Sequence, residues 1–164
     1  MLGRPIHVLV VDDSAFMRRA ILRMLEREED IQVIDTAANG EEAVAKAAAL
    51  HPDVITMDVE MPRMGGLNAV REIMARQRIP IIMVSALTRE GAETTLKALE
   101  LGAASFIPKP DSAYMDILKV ARDLVDQVRA LAGRRPPSRG AATIAKPPPA
   151  PAPIPDVAPR PVSY

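Results

Sequence analysis

Five side chains with complementary chemistry lie just beyond apolar segments of this sequence. They are Asp12, Asp13, Asp58, Ser85 and Lys109. Three carboxylates brought together repel one another, and they cannot all stay ionised without a cation between them. Mg²⁺ binds carboxylate oxygens together with waters and phosphate oxygens, and a lysine and a hydroxyl beside it would complete a cradle for a phosphoryl group. If these residues meet in space, the sequence predicts a site for magnesium-dependent phosphoryl transfer.

The segments that must position these residues alternate between strand-like apolar runs and helix-like periodic stretches. The pattern predicts strands at 6–11, 32–36, 53–57, 80–84 and 104–107. It predicts helices at 14–27, 41–50, 67–76, 89–101 and 113–131, with Ser14 as an N-cap and Gly102 as the residue that ends the fourth helix. Five such alternations favour an α/β fold, a doubly wound five-stranded parallel sheet with helices on both faces.

The carboxyl ends of the predicted strands carry all five candidate residues. Asp12 and Asp13 follow the first strand, and Asp58 follows the third. Ser85 follows the fourth strand, and Lys109 follows the fifth after one intervening residue. Taken singly, each residue has an ordinary structural explanation as a cap, a turn residue or a solvated surface residue. Because parallel strands place their carboxyl ends on one edge, where such sheets bind ligands, the agreement at every position favours a shared site.

Composition narrows the classes of protein. The chain has 164 residues, 48% of them hydrophobic and 26% charged, which suits one domain of common size with a packed core. It has no cysteine, which excludes disulfides, thiolate zinc sites and a cysteine nucleophile and suits a reducing compartment. No apolar run is long enough for a membrane span, so we expect a cytoplasmic protein without membrane insertion. Without tryptophan or a dense basic patch, nucleic acid is not an expected partner.

The last part of the sequence has a different composition. Ten of the 16 prolines lie in residues 134–164, which also carry five Lys/Arg and one Asp/Glu. Proline fixes φ and removes a backbone donor, so neither helix nor sheet is expected there. The prediction is a globular domain at 1–133 followed by an extended, disordered Pro/Ala-rich linker at 134–164. A proline motif read by a partner domain is the alternative interpretation of this segment.

Residues 1–133 resemble the receiver domain of two-component response regulators. The resemblance rests on four motifs: VVDDS at 10–14, MDVEMPRMGG at 57–66, VSA at 84–86 and FIPKP at 106–110. It implies a flavodoxin-like fold with strand order 2-1-3-4-5. It also implies that Asp12 and Asp13 hold Mg²⁺, that the backbone carbonyl of Glu60 is a further ligand, and that Asp58 accepts a phosphoryl group from a partner histidine kinase.

The same resemblance implies a switch beside the phosphoryl group. Ser85 would hydrogen-bond the phosphoryl group, and Lys109 would pair with it. Phe106 would be the aromatic residue that rotates inward after phosphorylation. The peptide bond between Lys109 and Pro110 would be cis.

A narrower resemblance is to the receiver of chemotaxis protein-glutamate methylesterases. It rests on the segments 12–18, 60–62, 85–96 and 98–103 and on the Pro-rich linker. Those proteins carry a C-terminal hydrolase domain with a Ser-His-Asp set and a Gly-rich nucleophile loop, and nothing in this sequence matches it. The resemblance therefore implies the regulatory half plus linker of such a protein, or a truncated relative. Its partners would be a chemotaxis-type histidine kinase and, in the full-length protein, its own catalytic domain and chemoreceptors.

Three alternatives remain beside this interpretation. The first is a stand-alone receiver that acts as a signalling adaptor by docking to partners. The second is a hydrolytic phosphatase, which needs a second acidic residue two positions after its nucleophile, and Glu60 meets that spacing. The third, a nicotinamide enzyme, is disfavoured because no Gly-x-Gly-x-x-Gly follows the first strand.

Overall fold

The predicted alternation of strands and helices is present in the computed structural model, which describes residues 3–61, 64–86, 89–109 and 114–134. The strands are β1 (Ile6–Val11), β2 (Ile31–Ala37), β3 (Val54–Asp58), β4 (Ile81–Ser85) and β5 (Ser105–Pro108). The helices are α1 (Ala15–Glu26), α2 (Gly40–Leu50), α3 (Gly66–Arg76), α4 (Arg89–Glu100) and α5 (Tyr114–Arg134).

The strands form one sheet in the order β2-β1-β3-β4-β5. Every neighbouring pair is parallel. This arrangement confirms the predicted flavodoxin-like fold. The order reverses at β1 and β3, so the switch point of the sheet lies between the strands that carry Asp12 and Asp58.

Two aliphatic cores lie on opposite faces of the sheet. On one face, strand residues such as Leu9, Ile55 and Met83 pack with residues of α2, α3 and α4. On the other face, residues such as Val10 and Ile82 pack with residues of α1 and α5. Because the central strands are buried on both sides, they are apolar at successive positions, which is why their sequences show runs and not alternation.

The helix boundaries follow local signals that the sequence contains. The Ser14 hydroxyl accepts a hydrogen bond from the Met17 amide at 3.2 Å, which confirms the predicted N-cap of α1. Gly102 has a φ of +121°, and the Ala103 amide beyond it donates to the Ala98 carbonyl at 3.0 Å, so α4 ends as predicted.

The apolar spacing of the last helix predicts an inward face made of Ile117, Leu118, Ala121, Leu124, Val125 and Val128, and this prediction was wrong for Leu118. Leu118 is 39% exposed, whereas Leu124, Val125 and Val128 of the same helix are buried. At about 100° per residue, Leu118 falls at the edge of the buried face, and there it lines a groove between α1 and α5 with Phe16.

Two predictions concern residues outside the described ranges. The disordered linker at 134–164 lies beyond them except for Arg134, which ends α5. The cis bond before Pro110 involves a residue that is not described. Among the helices of the described residues, none combines the length and hydropathy needed to cross a membrane.

Candidate functional site

The carboxyl edge of the sheet brings together the five residues singled out in the sequence. Asp12 directly follows β1, and Lys109 directly follows β5. Asp58 and Ser85 are the last residues of β3 and β4. The prediction placed each of them one residue after the end of its strand. Because β3 and β4 continue through these residues, sheet hydrogen bonds hold their backbones.

Three carboxylates form an acidic cluster at this edge. Asp12, Asp13 and Asp58 each offer an oxygen that lies within 4.8 Å of the others. Asp12 is 0% exposed and Asp58 is 2% exposed, whereas Asp13 is exposed to solvent. The cluster therefore has a buried floor of two carboxylates and one solvent-facing member.

Lys109 supplies the positive charge beside the cluster. Its Nζ lies 3.0 Å from Asp58 Oδ1 and 3.6 Å from Asp12 Oδ2. Its backbone amide donates to the Ser85 carbonyl at 2.9 Å, which joins the end of β5 to the end of β4. The lysine thus contacts both buried carboxylates from a backbone that the sheet holds.

Each of the two buried carboxylates has one oxygen without a hydrogen bond among the described residues, which fits a bound cation. Asp12 Oδ2 and Asp58 Oδ2 are both buried and have no hydrogen-bond partner among the described residues. A buried unpaired carboxylate oxygen is costly unless a cation or a donor satisfies it. Together with the exposed Asp13, these hard oxygen donors fit Mg²⁺ better than a soft metal.

The pKa values reflect the crowding of charge. Burial, and then the charge of Asp12, raise the pKa of Asp58 to about 7, although its hydrogen bond with Lys109 acts in the opposite direction. Burial also raises the pKa of Asp12 above its usual range. Burial lowers the pKa of Lys109, but the hydrogen bond and the charge of Asp58 outweigh it, so the lysine pKa is raised and the lysine is charged. A cation in the cluster would remove the repulsion that keeps a proton there.

A cleft of about 250 Å³ opens above the cluster. That volume equals the share of roughly eight water molecules, enough for a phosphoryl group with part of a metal's hydration shell. The cleft is lined by Asp13, Asp58, Val59, Glu60, Ser85, Ala86, Gly91 and Lys109. Glu60 therefore lies at the site, as expected of the residue predicted to offer its backbone carbonyl.

The predicted switch residues border a second cavity. The Ser85 hydroxyl donates to the Ala86 carbonyl at 3.1 Å. Phe106 is 47% exposed and lines a cavity of about 430 Å³ with Ser85, Leu96 and Leu99. The structure therefore places the two switch candidates beside one open space.

The loop that carries Glu60 is held by two close backbone contacts. The Gly66 amide donates to the Val59 carbonyl at 3.1 Å, and the Gly40 amide of α2 donates to the Met64 carbonyl at 3.0 Å. A Cβ at Gly66 would lie 2.2 Å from the Asp58 carbonyl oxygen. A Cβ at Gly40 would lie 2.4 Å from the Met64 carbonyl oxygen. Only glycine fits either position.

Sequence reasoning missed two residues of this edge, Gly40 and Gly91. The Asn39-Gly40 pair predicts only a turn, whereas Gly40 is the first residue of α2 and contacts the loop after β3. Gly91 lies in the first turn of α4 and lines the cleft, a position that strand ends alone do not reveal. A glycine where a helix begins beside a strand end is the signal that could have found both.

Fold and site together define a receiver domain of a two-component system. The sequence pattern described as the response regulator receiver domain matches residues 8–120, and the chain belongs to that family. The matched range includes Asp12, Asp58, Ser85 and Lys109.

The chain is also similar to a particular group of curated proteins. Over 135 residues it is 54% identical to protein-glutamate methylesterase/protein-glutamine glutaminase 1 of Oleidesulfovibrio alaskensis, which covers 82% of this chain and 37% of that protein. Over 140 residues it is 51% identical to the corresponding protein of Symbiobacterium thermophilum, covering 85% of this chain and 39% of that protein. The chain thus spans less than two fifths of the length of these relatives.

The chain is also similar to solved structures of chemotaxis proteins. The response regulator domain of Thermotoga maritima CheB is 46% identical, with a TM-score of 0.72, and the match covers 79% of this chain and 98% of that one. CheY6 from R. sphaeroides, solved in complex with the P1 domain of CheA3, appears in a similar structure at 35% identity with a TM-score of 0.66, covering 80% of this chain and 99% of that one. Both the receiver resemblance and the narrower chemotaxis methylesterase resemblance are confirmed.

Proposed function

We propose that this chain accepts a phosphoryl group on Asp58 from a chemotaxis-type histidine kinase and thereby controls a protein-glutamate methylesterase/glutamine deamidase. The observation that carries the proposal is the setting of the Asp58 carboxyl group. It lies at the end of a central strand, next to Asp12, 3.0 Å from the Lys109 ammonium and on the wall of an open cleft.

In this proposal Asp12, Asp13 and Asp58 hold Mg²⁺ through carboxylate oxygens, and the Glu60 backbone carbonyl is a further ligand. When bound, Mg²⁺ would neutralise charge on the carboxylates and on the incoming phosphoryl oxygens, so that two anionic groups can approach. The buried oxygens without partners on Asp12 and Asp58 support this assignment.

The chain's own residues account for the transfer step. An Asp58 oxygen forms a bond to phosphorus as the bond from phosphorus to the kinase's histidine nitrogen breaks, and the imidazole leaves with that electron pair. Lys109, already beside Asp58, would stabilise the phosphoryl oxygens electrostatically. The product is an acyl phosphate on Asp58.

The added charge supplies the signal. A phosphoryl group brings about −1.5 to −2 charges and three strong acceptor oxygens. Ser85 lines the cleft, and its hydroxyl would exchange the Ala86 carbonyl for a phosphoryl oxygen. The cavity of about 430 Å³ beside Phe106 gives the aromatic ring space to turn inward. The surface formed by α4, β5 and α5 would change as a result.

The role in a larger protein rests on the relatives. Their names describe methylesterases and glutaminases, and this chain corresponds to just over a third of their length. That similarity favours a regulator of such a catalytic domain over a stand-alone adaptor or a phosphatase. In the full-length protein the receiver would contact its own catalytic domain, which acts on chemoreceptors. A kinase that uses ATP would meet this chain in the cytoplasm.

The test uses the chain itself with Mg²⁺ and acetyl phosphate as a small phosphoryl donor. We expect the intact mass to rise by one phosphoryl group, and the rise to disappear on chelation with EDTA or in the Asp58→Asn variant. Asp123→Asn, at an exposed position of α5, is the matched control and should be modified like the wild type. A mass increase that persists in Asp58→Asn would contradict the assignment of Asp58.

A further inference from the structure

Arg18 in α1 contacts Asp12 of the acidic cluster. The proposed mechanism does not use this contact. Arg18 Nη1 donates to the backbone carbonyl of Asp12 at 2.8 Å. Arg18 is half-buried, and it does not line the cleft above the acidic cluster. Among the residues that the structure describes, the arginine therefore reaches the site through the backbone of Asp12.

The Asp12 carbonyl has no strand to bond with. The pairing of β1 with β2 and with β3 ends at Val11, one residue before Asp12. The Asp12 amide still donates to the Ala37 carbonyl of β2 at 3.1 Å, but no backbone partner is recorded for the Asp12 carbonyl among the described residues. Because Asp12 is fully buried, that oxygen needs a donor, and the Arg18 guanidinium supplies one.

The same short segment also orients the Asp12 carboxylate. The Ser14 amide donates to Asp12 Oδ1 at 2.9 Å. The Ser14 hydroxyl caps α1, and the Ser14 carbonyl accepts from the Arg18 amide at 2.9 Å. The first turn of α1 thus bonds to Asp12 at its carboxylate through Ser14 and at its carbonyl through Arg18.

These contacts leave one polar atom of Asp12 without a hydrogen bond. Its amide, its carbonyl and Oδ1 each have a partner, and within the part of the chain that the structure describes Oδ2 has none. Oδ2 lies 3.6 Å from Lys109 Nζ, so it is directed into the acidic cluster. The segment holds the carboxylate with its free oxygen already facing the place where a cation would bind.

We propose that Arg18 is a positioning residue for Mg²⁺, which fixes the Asp12 backbone so that the carboxylate is presented to the metal without reorganisation. This inference rests on the proposed function only in taking Mg²⁺ as the cation. Partners that orient a metal ligand from behind typically contribute 10–100-fold to metal affinity. Without Arg18, the Asp12 peptide would have to be ordered when the metal binds, which lowers the affinity.

The chain offers a matched control next to this residue. Arg19 lies one position further along α1, is exposed, and lines the groove between α1 and α5. Replacing it removes the same charge and the same kind of side chain from the same helix turn. Any effect of total charge on Mg²⁺ binding would therefore appear in both variants, whereas an effect of the Asp12 contact appears only at position 18.

The experiment is a titration of the full chain with MgCl2, followed by the amide NMR signals of the residues around the cluster. We expect Arg18→Met to weaken Mg²⁺ binding about tenfold. Arg18→Lys keeps one donor without the planar fork, so it should lose roughly two- to fivefold. Arg19→Met should bind Mg²⁺ like the wild type. The free energy of unfolding without metal is measured for each variant by urea denaturation.

A Kd for Mg²⁺ in Arg18→Met equal to that of Arg19→Met would overturn the proposal, even if the variant is less stable. If Arg18→Met does not fold, Arg18→Lys decides, because a wild-type Kd in that variant contradicts the predicted loss. Acetyl phosphate added to the wild type distinguishes the two claims. An unmodified wild type would refute the proposed function, but the comparison of Mg²⁺ affinities would still test Arg18.

Discussion

The two sides of the carboxyl edge differ in how firmly their residues are held. On the metal side, Asp12 and Asp58 are buried, and Lys109 contacts both. On the output side, Phe106 is 47% exposed and Leu96 of α4 is 62% exposed, and between them lies an open cavity of about 430 Å³. The metal side consists of buried side chains in ion pairs, whereas the output side contains an open cavity lined by exposed side chains.

In the proposed function, this difference would separate the phosphoryl-transfer chemistry from the conformational response. The carboxylates and the lysine are preorganised by strand ends, so a phosphoryl group and a metal would meet groups already in place. The output side has an open cavity of about 430 Å³ into which the Phe106 ring can move. A change at the rigid side can therefore be expressed as a rearrangement of the loose one.

The largest effect is expected from removing the positive charge of Lys109 beside the acidic cluster. Lys109→Met keeps the length of the side chain but leaves Asp12 and Asp58 without their ammonium contact. We expect the rate of phosphorylation by acetyl phosphate to fall about a hundredfold, because a single preorganised charge at the reacting oxygens contributes on that scale. The rate is measured by quenched intact-mass analysis over time.

Lys119→Met is the control for that comparison, because Lys119 is an exposed lysine of α5. Its phosphorylation rate should equal that of the wild type. If Lys109→Met were phosphorylated as fast as Lys119→Met, the metal side would not be the preorganised half of the edge.

The stability of the metal-free protein should depend on pH through the acidic cluster. Burial and the Asp12 charge raise the pKa of Asp58 from its usual 3.8 to about 7 in the folded state. The folded protein thus holds a proton that the unfolded chain has lost, and stability present at low pH disappears as the pH rises through 7. Between pH 5 and pH 8 the difference amounts to at most about 3 kcal/mol, because each pH unit below the folded pKa contributes about 1.4 kcal/mol. Urea denaturation in EDTA at pH 5 and pH 8 measures it.

Asp58→Asn should show a much flatter dependence, and Mg²⁺ should restore stability to the wild type at pH 8. Asp30, whose pKa is lowered by Arg129, has already gained its stabilisation well below pH 5 and adds no slope in this range. Greater stability of the metal-free wild type at pH 8 than at pH 5 would contradict the account of the cluster.

The glycine contacts behind the metal side predict a moderate loss of stability. Gly40→Ala would place a Cβ 2.4 Å from the Met64 carbonyl oxygen, so the loop after β3 must shift. We expect a loss of about 1–3 kcal/mol in the free energy of unfolding, as for other overpacked positions. The measurement is chemical denaturation followed by circular dichroism.

Gly133→Ala provides the comparison within a helix that has room. A Cβ there meets nothing within 4 Å, and alanine favours a helix by up to about 1 kcal/mol over glycine. Equal loss in both variants would show that the contact between α2 and the loop does not matter.

The smallest effect concerns the output side. Phe106→Trp would introduce a single tryptophan, because the chain has none. Since Phe106 lies outside the acidic cluster, we expect the phosphorylation rate to stay within about twofold of the wild type. Its fluorescence should shift to the blue after acetyl phosphate and Mg²⁺ are added, as the ring moves from solvent into the cavity. The same variant combined with Asp58→Asn should show no shift, and an unchanged emission in the phosphorylated protein would argue against the rotation.

The sequence predicted the elements and the meeting of the five residues because both follow from period and topology. Asp12, Asp58, Ser85 and Lys109 could be placed at one edge as soon as five parallel strands were assigned. The sequence could not predict contacts that depend on how closely two elements approach in the folded protein. The contact of Arg18 with the Asp12 carbonyl has no local sequence pattern.

The sequence-based predictions were wrong where contacts between two elements determine a residue's environment. Leu118 has a helical spacing that fits the core, but α1 does not cover that edge of α5, and the side chain is left partly exposed. Strands β3 and β4 extend one residue further than predicted, because their neighbours supply hydrogen bonds through Asp58 and Ser85. Such outcomes are set by packing between elements and not by propensity within them.

The most direct test of the central claim is chemical trapping of the phosphorylated residue. Borohydride reduces an acyl phosphate to an alcohol, which converts the modified aspartate to homoserine, and peptide mass spectrometry then locates it. After treatment with Mg²⁺ and acetyl phosphate, the account predicts homoserine at position 58 and at no other aspartate. Reduction at Asp12 or Asp13, or at none of the three, would contradict it.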